Sequence, residues 1–166
     1  MSVAESRPPV RAGCGWDIHR LVAGRPLRLG GVTIPWPSGL LGHSDGDVVL
    51  HALCDALLGA VGAGDIGTHF PDTDAAYEGI DSAILVERVV LLVRQRGHQV
   101  GNVDVTILAE QPRLGPVLPL MRGRLAALLE IDAERVSLKA KTMEGLGAIG
   151  RGEAIAASVV AIVVAT

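Results

Sequence analysis

The chain has 166 residues, enough for one domain with a real core, and 49% of them are hydrophobic. Aromatic residues make up 2% and the formal net charge is −3, so a base-stacking surface and a basic nucleic-acid footprint are both excluded. No apolar run reaches the roughly 20 residues of a membrane-spanning helix, and the 2 cysteines are too few for a disulfide scaffold. We therefore expect a globular, cytoplasmic protein with no nucleic-acid and no membrane partner.

Residues 1–10 lack a signal-peptide core, so we expect a flexible tail there and a single domain over 11–166.

The first predicted strand carries an Asp-x-His pair. The pattern predicts a strand from Arg11 to His19, in which Asp17 and His19 share one face. A carboxylate beside an imidazole is a compact pair of metal ligands, although a polar pair at a sheet edge is the commoner meaning of this motif alone.

A loop and a hairpin are predicted next. Residues 20–26 read as a loop, and the segment that follows turns at Gly30-Gly31, which is typical of a β-hairpin. Pro35 and Pro37 end it.

A helical pattern begins at Asp45 within the His- and Asp-rich segment from Gly39 to Phe70. We expect Ser44 or Asp45 to cap this helix. Three polar residues, Asp47, His51 and Asp55, recur every four positions and form one stripe on its surface. By itself this stripe fits a solvated face and a metal or phosphate site equally well.

The helix ends in a glycine-rich stretch that matches G-x-G-x-x-G from Gly62 to Gly67. We reject a dinucleotide site, because that fingerprint follows a strand and opens a helix, whereas these glycines follow a helix. The close-approaching backbone, with Asp65, Asp72 and Asp74, remains suited to the hydroxyls of a sugar.

The second half alternates helices and strands. Periodicity predicts helices over Ser82–Arg96 and from Pro116, and strands over Gly101–Ala109, Val136–Lys141 and Ile155–Val164. This order predicts a two-layer α/β domain of the α+β type, with a mixed four-stranded sheet, a separate hairpin and the helices on one face.

Two clusters of chemically active residues emerge. Asp17, His19 and His51 offer three ligands with an open fourth position, the pattern of a catalytic zinc site. Lys141, Thr142, Glu144 and Arg151 lie near a flexible loop and suit a diphosphate with a divalent ion, although ordinary surface charge is the simpler explanation of either cation alone.

Several sequence blocks carry a family resemblance that runs from Gly13 to the C-terminus in one order. The blocks are Gly15-Trp-Asp-Ile-His19, His43-Ser-Asp-Gly-Asp47 with Leu50-His-Ala-Leu53, Gly64-Asp-Ile-Gly67 with Phe70-Pro-Asp-Thr-Asp74, Gly101-Asn-Val-Asp-Val-Thr-Ile107 and Lys139-Ala-Lys-Thr-x-Glu-Gly-Leu-Gly147 with Gly150-Arg-Gly-Glu153. They resemble the 2-C-methyl-D-erythritol 2,4-cyclodiphosphate synthase family.

The resemblance implies an enzyme of the non-mevalonate isoprenoid pathway. In that family the 2-phosphate of 4-diphosphocytidyl-2-C-methyl-D-erythritol 2-phosphate attacks the β-phosphorus of the same molecule, and CMP leaves. It also implies a homotrimer whose sheets face the threefold axis and whose active sites lie between subunits.

The resemblance also implies roles for individual residues. Zn²⁺, or Mn²⁺ or Co²⁺ in its place, would bind Asp17, His19 and His51, and Glu144 would hold Mg²⁺ or Mn²⁺ on the diphosphate. His43 and Thr142 would stabilise the transition state. Substrate binding would extend over Asp17, His19, His43, Ser44, Asp65, Ile66, Gly67, Phe70, Pro71, Asp72, Thr73, Asp74, Ala109, Glu110, Gln111, Pro112, Arg113, Leu114, Gly115, Lys141, Thr142, Met143, Glu144, Ala148 and Arg151.

Two positions depart from the family pattern. Ala148 stands where many relatives have Phe beside a central apolar cavity, and Met143 replaces a small polar residue.

Two other functions stay open: a zinc phosphohydrolase that activates water at the same ligands, and a non-catalytic zinc-containing module that binds isoprenoid diphosphates.

Overall fold

A five-stranded mixed sheet forms the centre of the computed structural model, which describes residues 9–166. The strands are β1 (Val10–Ala23), β2 (Leu27–Leu29), β3 (Val32–Ile34), β4 (Ser38–Leu40), β5 (His98–Leu108), β6 (Val136–Lys141) and β7 (Ala154–Ala165). The helices are α1 (Val48–Ala60), α2 (Ile66–His69), α3 (Ser82–Gln95), α4 (Leu118–Leu129) and α5 (Gly147–Gly150). Strands β2 and β3 form the separate hairpin that Gly30-Gly31 predicts.

The strand order is β4-β1-β7-β5-β6, so the prediction of four strands was wrong by one. The prediction of a loop over 20–26 was also wrong in part, because β1 continues to Ala23 and pairs there with β4. Strand β4 has only three residues, too few for an alternating pattern to be visible in the sequence. Among the strands of residues 9–166, β5 and β6 form the one parallel pair, as expected for a mixed sheet.

Helix α1 packs directly on β1 and β7 through positions without side chains. A Cβ atom on Gly13 would lie 1.9 Å from the carbonyl oxygen of Ala56, and one on Gly15 would lie 1.9 Å from that of Ala52. These glycines let the helix backbone approach the strand far more closely than any other residue allows.

Helix α1 begins later than predicted, because its N-cap is Asp47 and neither Ser44 nor Asp45. The Asp47 carboxylate accepts N–H bonds from Val49 and Leu50 of the helix, and from Gly30 and Gly31 of the hairpin at 2.9 and 2.7 Å. Asp47 is fully buried and does not belong to a solvated stripe. Its hydrogen bonds join the hairpin to the start of the helix.

The other predicted helices are confirmed, with changes at their ends. Helix α3 begins after its cap Asp81, as expected. Pro116 lies in a 3₁₀ turn that precedes α4, and the short helix α5 lies in the glycine-rich segment between Lys141 and Glu153, where no helix was predicted. Residues 1–8 of the expected tail lie outside the described residues. Over 9–166, no helix is long and apolar enough to cross a membrane.

The face of the sheet opposite α1 carries exposed apolar side chains. Trp16 and Ile18 of β1 and Val160 of β7 are 55%, 39% and 43% exposed, and Cys14 is exposed beside them. Helix α5 covers one end of this face, where Ile149 packs with Ala154 and Ala156 of β7, and among the described residues nothing covers the part around Trp16 and Val160.

Candidate metal and phosphate site

Three ligand atoms from β1 and α1 converge at one point. Asp17 Oδ2 lies 2.8 Å from His19 Nε2 and 3.2 Å from His51 Nδ1, and the two histidine nitrogens are 3.4 Å apart. The β1 register places Asp17 and His19 on the face that α1 covers, and the close approach at Gly15 brings His51 down onto them.

This geometry fits a metal ion. Tetrahedral ligands held about 2.0–2.1 Å from a Zn²⁺ ion are about 3.3 Å from one another, close to the separations among the three atoms. Within residues 9–166, Asp17, His19 and His51 form the one cluster whose ligand atoms lie close enough together to hold a metal ion. Asp55, the third residue of the predicted polar stripe, is not part of this cluster. Asp55 instead accepts the N–H of Ile66 at 2.7 Å.

The carboxylate of the triad stays ionised. Burial raises its pKa, but hydrogen bonds and charge from His19 and His51 outweigh that effect and hold the pKa of Asp17 well below its usual range. A carboxylate with a lowered pKa between two imidazoles is the donor set of a cation site.

The outer nitrogen of His51 meets two hydroxyl groups. Its Nε2 lies 2.8 Å from Ser44 Oγ and 3.0 Å from Ser82 Oγ. Ser82 Oγ donates in turn to Asp45 Oδ1 at 2.5 Å. The sequence suggested Ser44 as a site residue, whereas Ser82 was recognised only as the start of a helix.

A cavity of about 390 Å³ opens beside the triad. Predicted site residues that line it are His19, His43, Ser44, His51, Ile66, Gly67, Phe70, Pro71 and Asp72. Gly42 and four apolar residues, Leu41, Tyr77, Ile80 and Leu85, complete its wall. They were not predicted, because their place at the cavity depends on tertiary packing and not on a local sequence pattern. The Phe70 and Tyr77 rings meet edge to face, with centroids 5.4 Å apart.

A second cavity of about 500 Å³ lies at the ends of β5 and β6. All seven predicted residues from Ala109 to Gly115 line it, together with Lys141 and Thr142. Its wall has no residue in common with the wall of the first cavity. Within one chain the two halves of the predicted site therefore form separate cavities.

The loop after β6 is braced around Glu144. Its backbone has φ of 51°, a left-handed conformation that is unusual for a residue with a side chain. Thr142 Oγ1 donates to Glu144 Oε1 at 2.8 Å, and Glu110 accepts the Met143 N–H at 3.2 Å. A strained, exposed carboxylate beside a hydroxyl is a feature that folds retain at functional sites.

The remaining predicted residues lie outside both cavity walls. Asp65 and Asp74 cap α2 and a 3₁₀ turn through their carboxylates, and both are exposed. Thr73 lies beside Asp74, and Ala148 is exposed in α5. Arg151 pairs with Glu153 at 2.7 Å and is also exposed.

A family model described as the YgbB family matches residues 10–164. The chain belongs to the YgbB family. A relative in Geotalea daltonii named 2-C-methyl-D-erythritol 2,4-cyclodiphosphate synthase is 57% identical over 153 residues, which cover 92% of this chain and 90% of the relative. A relative of the same name in Pelobacter propionicus is 53% identical and covers 93% and 98%. The family resemblance seen in the sequence is thus confirmed.

Solved structures of the family superpose closely on this chain. A CDP complex of IspF from Plasmodium falciparum has a TM-score of 0.85 at 34% identity, and the match covers 97% of this chain and 99% of that one. The bifunctional IspDF of Campylobacter jejuni has a TM-score of 0.91 at 39% identity, and this chain spans 42% of its length.

Proposed function

We propose that this chain is a 2-C-methyl-D-erythritol 2,4-cyclodiphosphate synthase of the non-mevalonate isoprenoid pathway, acting as a CMP-releasing phosphorus–oxygen lyase in the cytoplasm. The observation that carries this proposal is the convergence of Asp17, His19 and His51 beside a cavity whose walls contain the family's substrate segment. Family membership at 57% identity supports the same reaction.

The reaction joins two ends of one substrate. An anionic oxygen of the 2-phosphate forms a bond to the β-phosphorus, and the bond from that phosphorus to the oxygen shared with the α-phosphate breaks. The electron pair leaves with CMP. Because the nucleophile is already ionised, the chain needs no side-chain base, and catalysis rests on folding the substrate and stabilising its charge.

Residues at the two cavities divide this work. Asp17, His19 and His51 would hold Zn²⁺, or Mn²⁺ or Co²⁺, and Glu144 would hold Mg²⁺ or Mn²⁺. When bound, these ions supply positive charge to the diphosphate oxygens. The exposed His43 imidazole would donate a hydrogen bond to the transferring phosphoryl group, and the Thr142 hydroxyl, which donates to Glu144 in this structure, would turn to do the same.

The walls of the cavities suit the two ends of the substrate. Phe70, Asp72 and the α2 backbone form a mixed apolar and polar wall for the methylerythritol phosphate. The second cavity is lined by loop backbone from Ala109 to Gly115 and suits a cytosine ring and its ribose. Lys141 adds a cation at its edge.

We further propose a homotrimer in which the first cavity of one subunit meets the second cavity of its neighbour. Two observations support this arrangement: the cavities are separate in one chain, and the exposed apolar face around Trp16 and Val160 is what a threefold contact would bury.

A ³¹P NMR time course tests the function. The chain receives the cytidine-diphosphate substrate with Mg²⁺ and Zn²⁺, and we expect CMP together with two coupled cyclic-diphosphate signals. His51→Ala should abolish them, whereas His98→Asn, a histidine change at the opposite end of the sheet, should not. CMP with an uncyclised phosphate would make water the nucleophile and favour the hydrolase, and the absence of turnover would favour the binding module.

A further inference from the structure

Ser82 occupies an unusual position next to the candidate metal site. It is fully buried at the start of α3, and its hydroxyl lies within 3.1 Å of His51 Nε2, Ser44 Oγ and Asp45 Oδ1. Its backbone N–H also donates to Asp45 Oδ2, at 3.2 Å. A side chain with this many polar contacts does more than begin a helix.

The direction of these hydrogen bonds follows from the chemistry of the partners. An ionised carboxylate only accepts, and a hydroxyl has one proton to give. The Ser82 hydroxyl must therefore donate to Asp45. It follows that Ser82 Oγ can only accept from Ser44 and from His51.

The carboxylate that sets this direction is itself held in place. Asp45 Oδ2 pairs with Arg28 Nε at 3.3 Å, and Arg28 Nη2 also bonds Asp81, the cap of α3, at 3.1 Å. Asp45 Oδ1 accepts the N–H of Asp47 at 3.2 Å. The hairpin, the loop before α1 and the start of α3 thus fix Asp45 relative to Ser82.

We propose that Ser82 and Asp45 are positioning residues that lock the tautomer of His51. Because the Ser82 hydroxyl can only accept at Nε2, that nitrogen must carry a proton, and Nδ1, which faces Asp17 and His19, is the nitrogen left to bind a metal ion. This is the tautomer that an Nδ1 metal ligand requires. The inference rests on the metal-site part of the proposed function.

Removal of Ser82 has a specific consequence. In Ser82→Ala the Ser44 hydroxyl loses its acceptor and becomes free to donate to His51 Nε2. The ring then becomes able to carry its proton on Nδ1 and donate it to Asp17 Oδ2, which is 3.2 Å away. Ser44→Ala has no such effect, because Ser82 still accepts from Nε2 at 3.0 Å.

The first test reads the tautomer directly. Long-range ¹H–¹⁵N correlation spectra are recorded on the full chain with ¹⁵N-labelled histidine after removal of metal by a chelator, and His51→Ala identifies the His51 signals. We expect a fully protonated Nε2 in the wild type and in Ser44→Ala, and in Ser82→Ala a substantial population that lacks the Nε2 proton and carries it on Nδ1 alone. An unchanged tautomer in Ser82→Ala would overturn the proposal.

The second test measures Co²⁺ affinity through the absorption bands of the bound ion. Loss of an outer partner of a metal-ligating histidine costs about 10- to 100-fold in affinity, so we expect Ser82→Ala to weaken binding by that factor. Val93→Ala is the matched control, since it removes buried volume from α3 far from His51. Equal weakening in both variants would mean that Ser82 acts only through helix stability, against the proposal.

Asp45→Ala decides the matter if Ser82→Ala does not fold. It leaves Ser82 in place but frees its proton to turn toward His51 Nε2, so we expect the same change of tautomer and affinity. Wild-type chain that binds no Co²⁺ at His51 would overturn the metal site and this inference together. Normal wild-type binding with no effect of either variant would overturn this inference alone.

Discussion

Gly15→Ala should separate the two elements that build the triad. The added Cβ would lie 1.9 Å from the carbonyl oxygen of Ala52 and 2.7 Å from the nitrogen of Ala56, and both atoms belong to the backbone of α1. A helix backbone cannot rotate aside as a flexible side chain can. Helix α1 must therefore move away from β1, and it takes His51 with it.

The size of this movement follows from the distances. Cβ contacts shorter than 3.0 Å are essentially never seen, so the helix must retreat locally by about 1.1 Å. Metal ligands tolerate only about 0.2 Å, and a misplacement of about 1 Å at a reacting group can cost about 100-fold. Overpacking of a core costs about 1–3 kcal/mol, which for a chain of this size lowers Tm by about 2–12 °C.

Co²⁺ titration, the ³¹P time course and thermal unfolding together measure the effect. We expect Gly15→Ala to lose about 100-fold in metal affinity and turnover at a temperature where it remains folded. The matched control is Gly59→Ala in α1 itself, where nothing lies within 4 Å of the new Cβ, and which should gain about 0.5–1 kcal/mol in stability. Gly15→Ala with wild-type affinity and wild-type Tm would refute the reasoning.

Three further predictions concern other parts of the fold. Asp47→Asn places an amide NH₂ among backbone N–H donors in a buried site, so we expect a loss of about 1–3 kcal/mol in urea unfolding; an unchanged midpoint would contradict this. Burial raises the pKa of the Cys54 thiol, so thiolate does not form at pH 8, and in a Cys14→Ser chain a thiol reagent should modify Cys54 only after denaturation; reaction of the native chain would contradict it. Val160→Glu adds a charge to the exposed apolar face, and sedimentation should show the proposed trimer in the wild type and a monomer in the variant; a variant that remains a trimer would exclude this face as the contact.

Regular periodicity allowed much of the fold to be predicted. The alternation of Val103, Val105 and Ile107 indicated β5, and all three are buried as that pattern implies. The apolar repeat after Asp81 indicated α3 and its cap. The Asp-x-His spacing in β1 placed Asp17 and His19 on one face, and the structure brings them together. These features depend on neighbours within a few residues, which the sequence displays directly.

The roles of Asp47 and Ser82 could not be predicted in the same way. Spacing alone assigned Asp47 to a polar stripe, but the hairpin N–H groups that bury it come from residues 16 and 17 positions earlier. Ser82 meets His51 and Asp45 from 31 and 37 positions away. Strand β4 is defined only by its pairing with the end of β1.

The sequence by itself determined the classes of element, the apolar faces that drive them together and the residue types able to bind a metal. Only the tertiary structure decided which polar groups are buried opposite one another, and hence which one caps a helix, which one joins two elements and which one orients His51. The physical reason is that a buried polar group takes its role from the donors and acceptors around it, and packing brings these from distant parts of the chain.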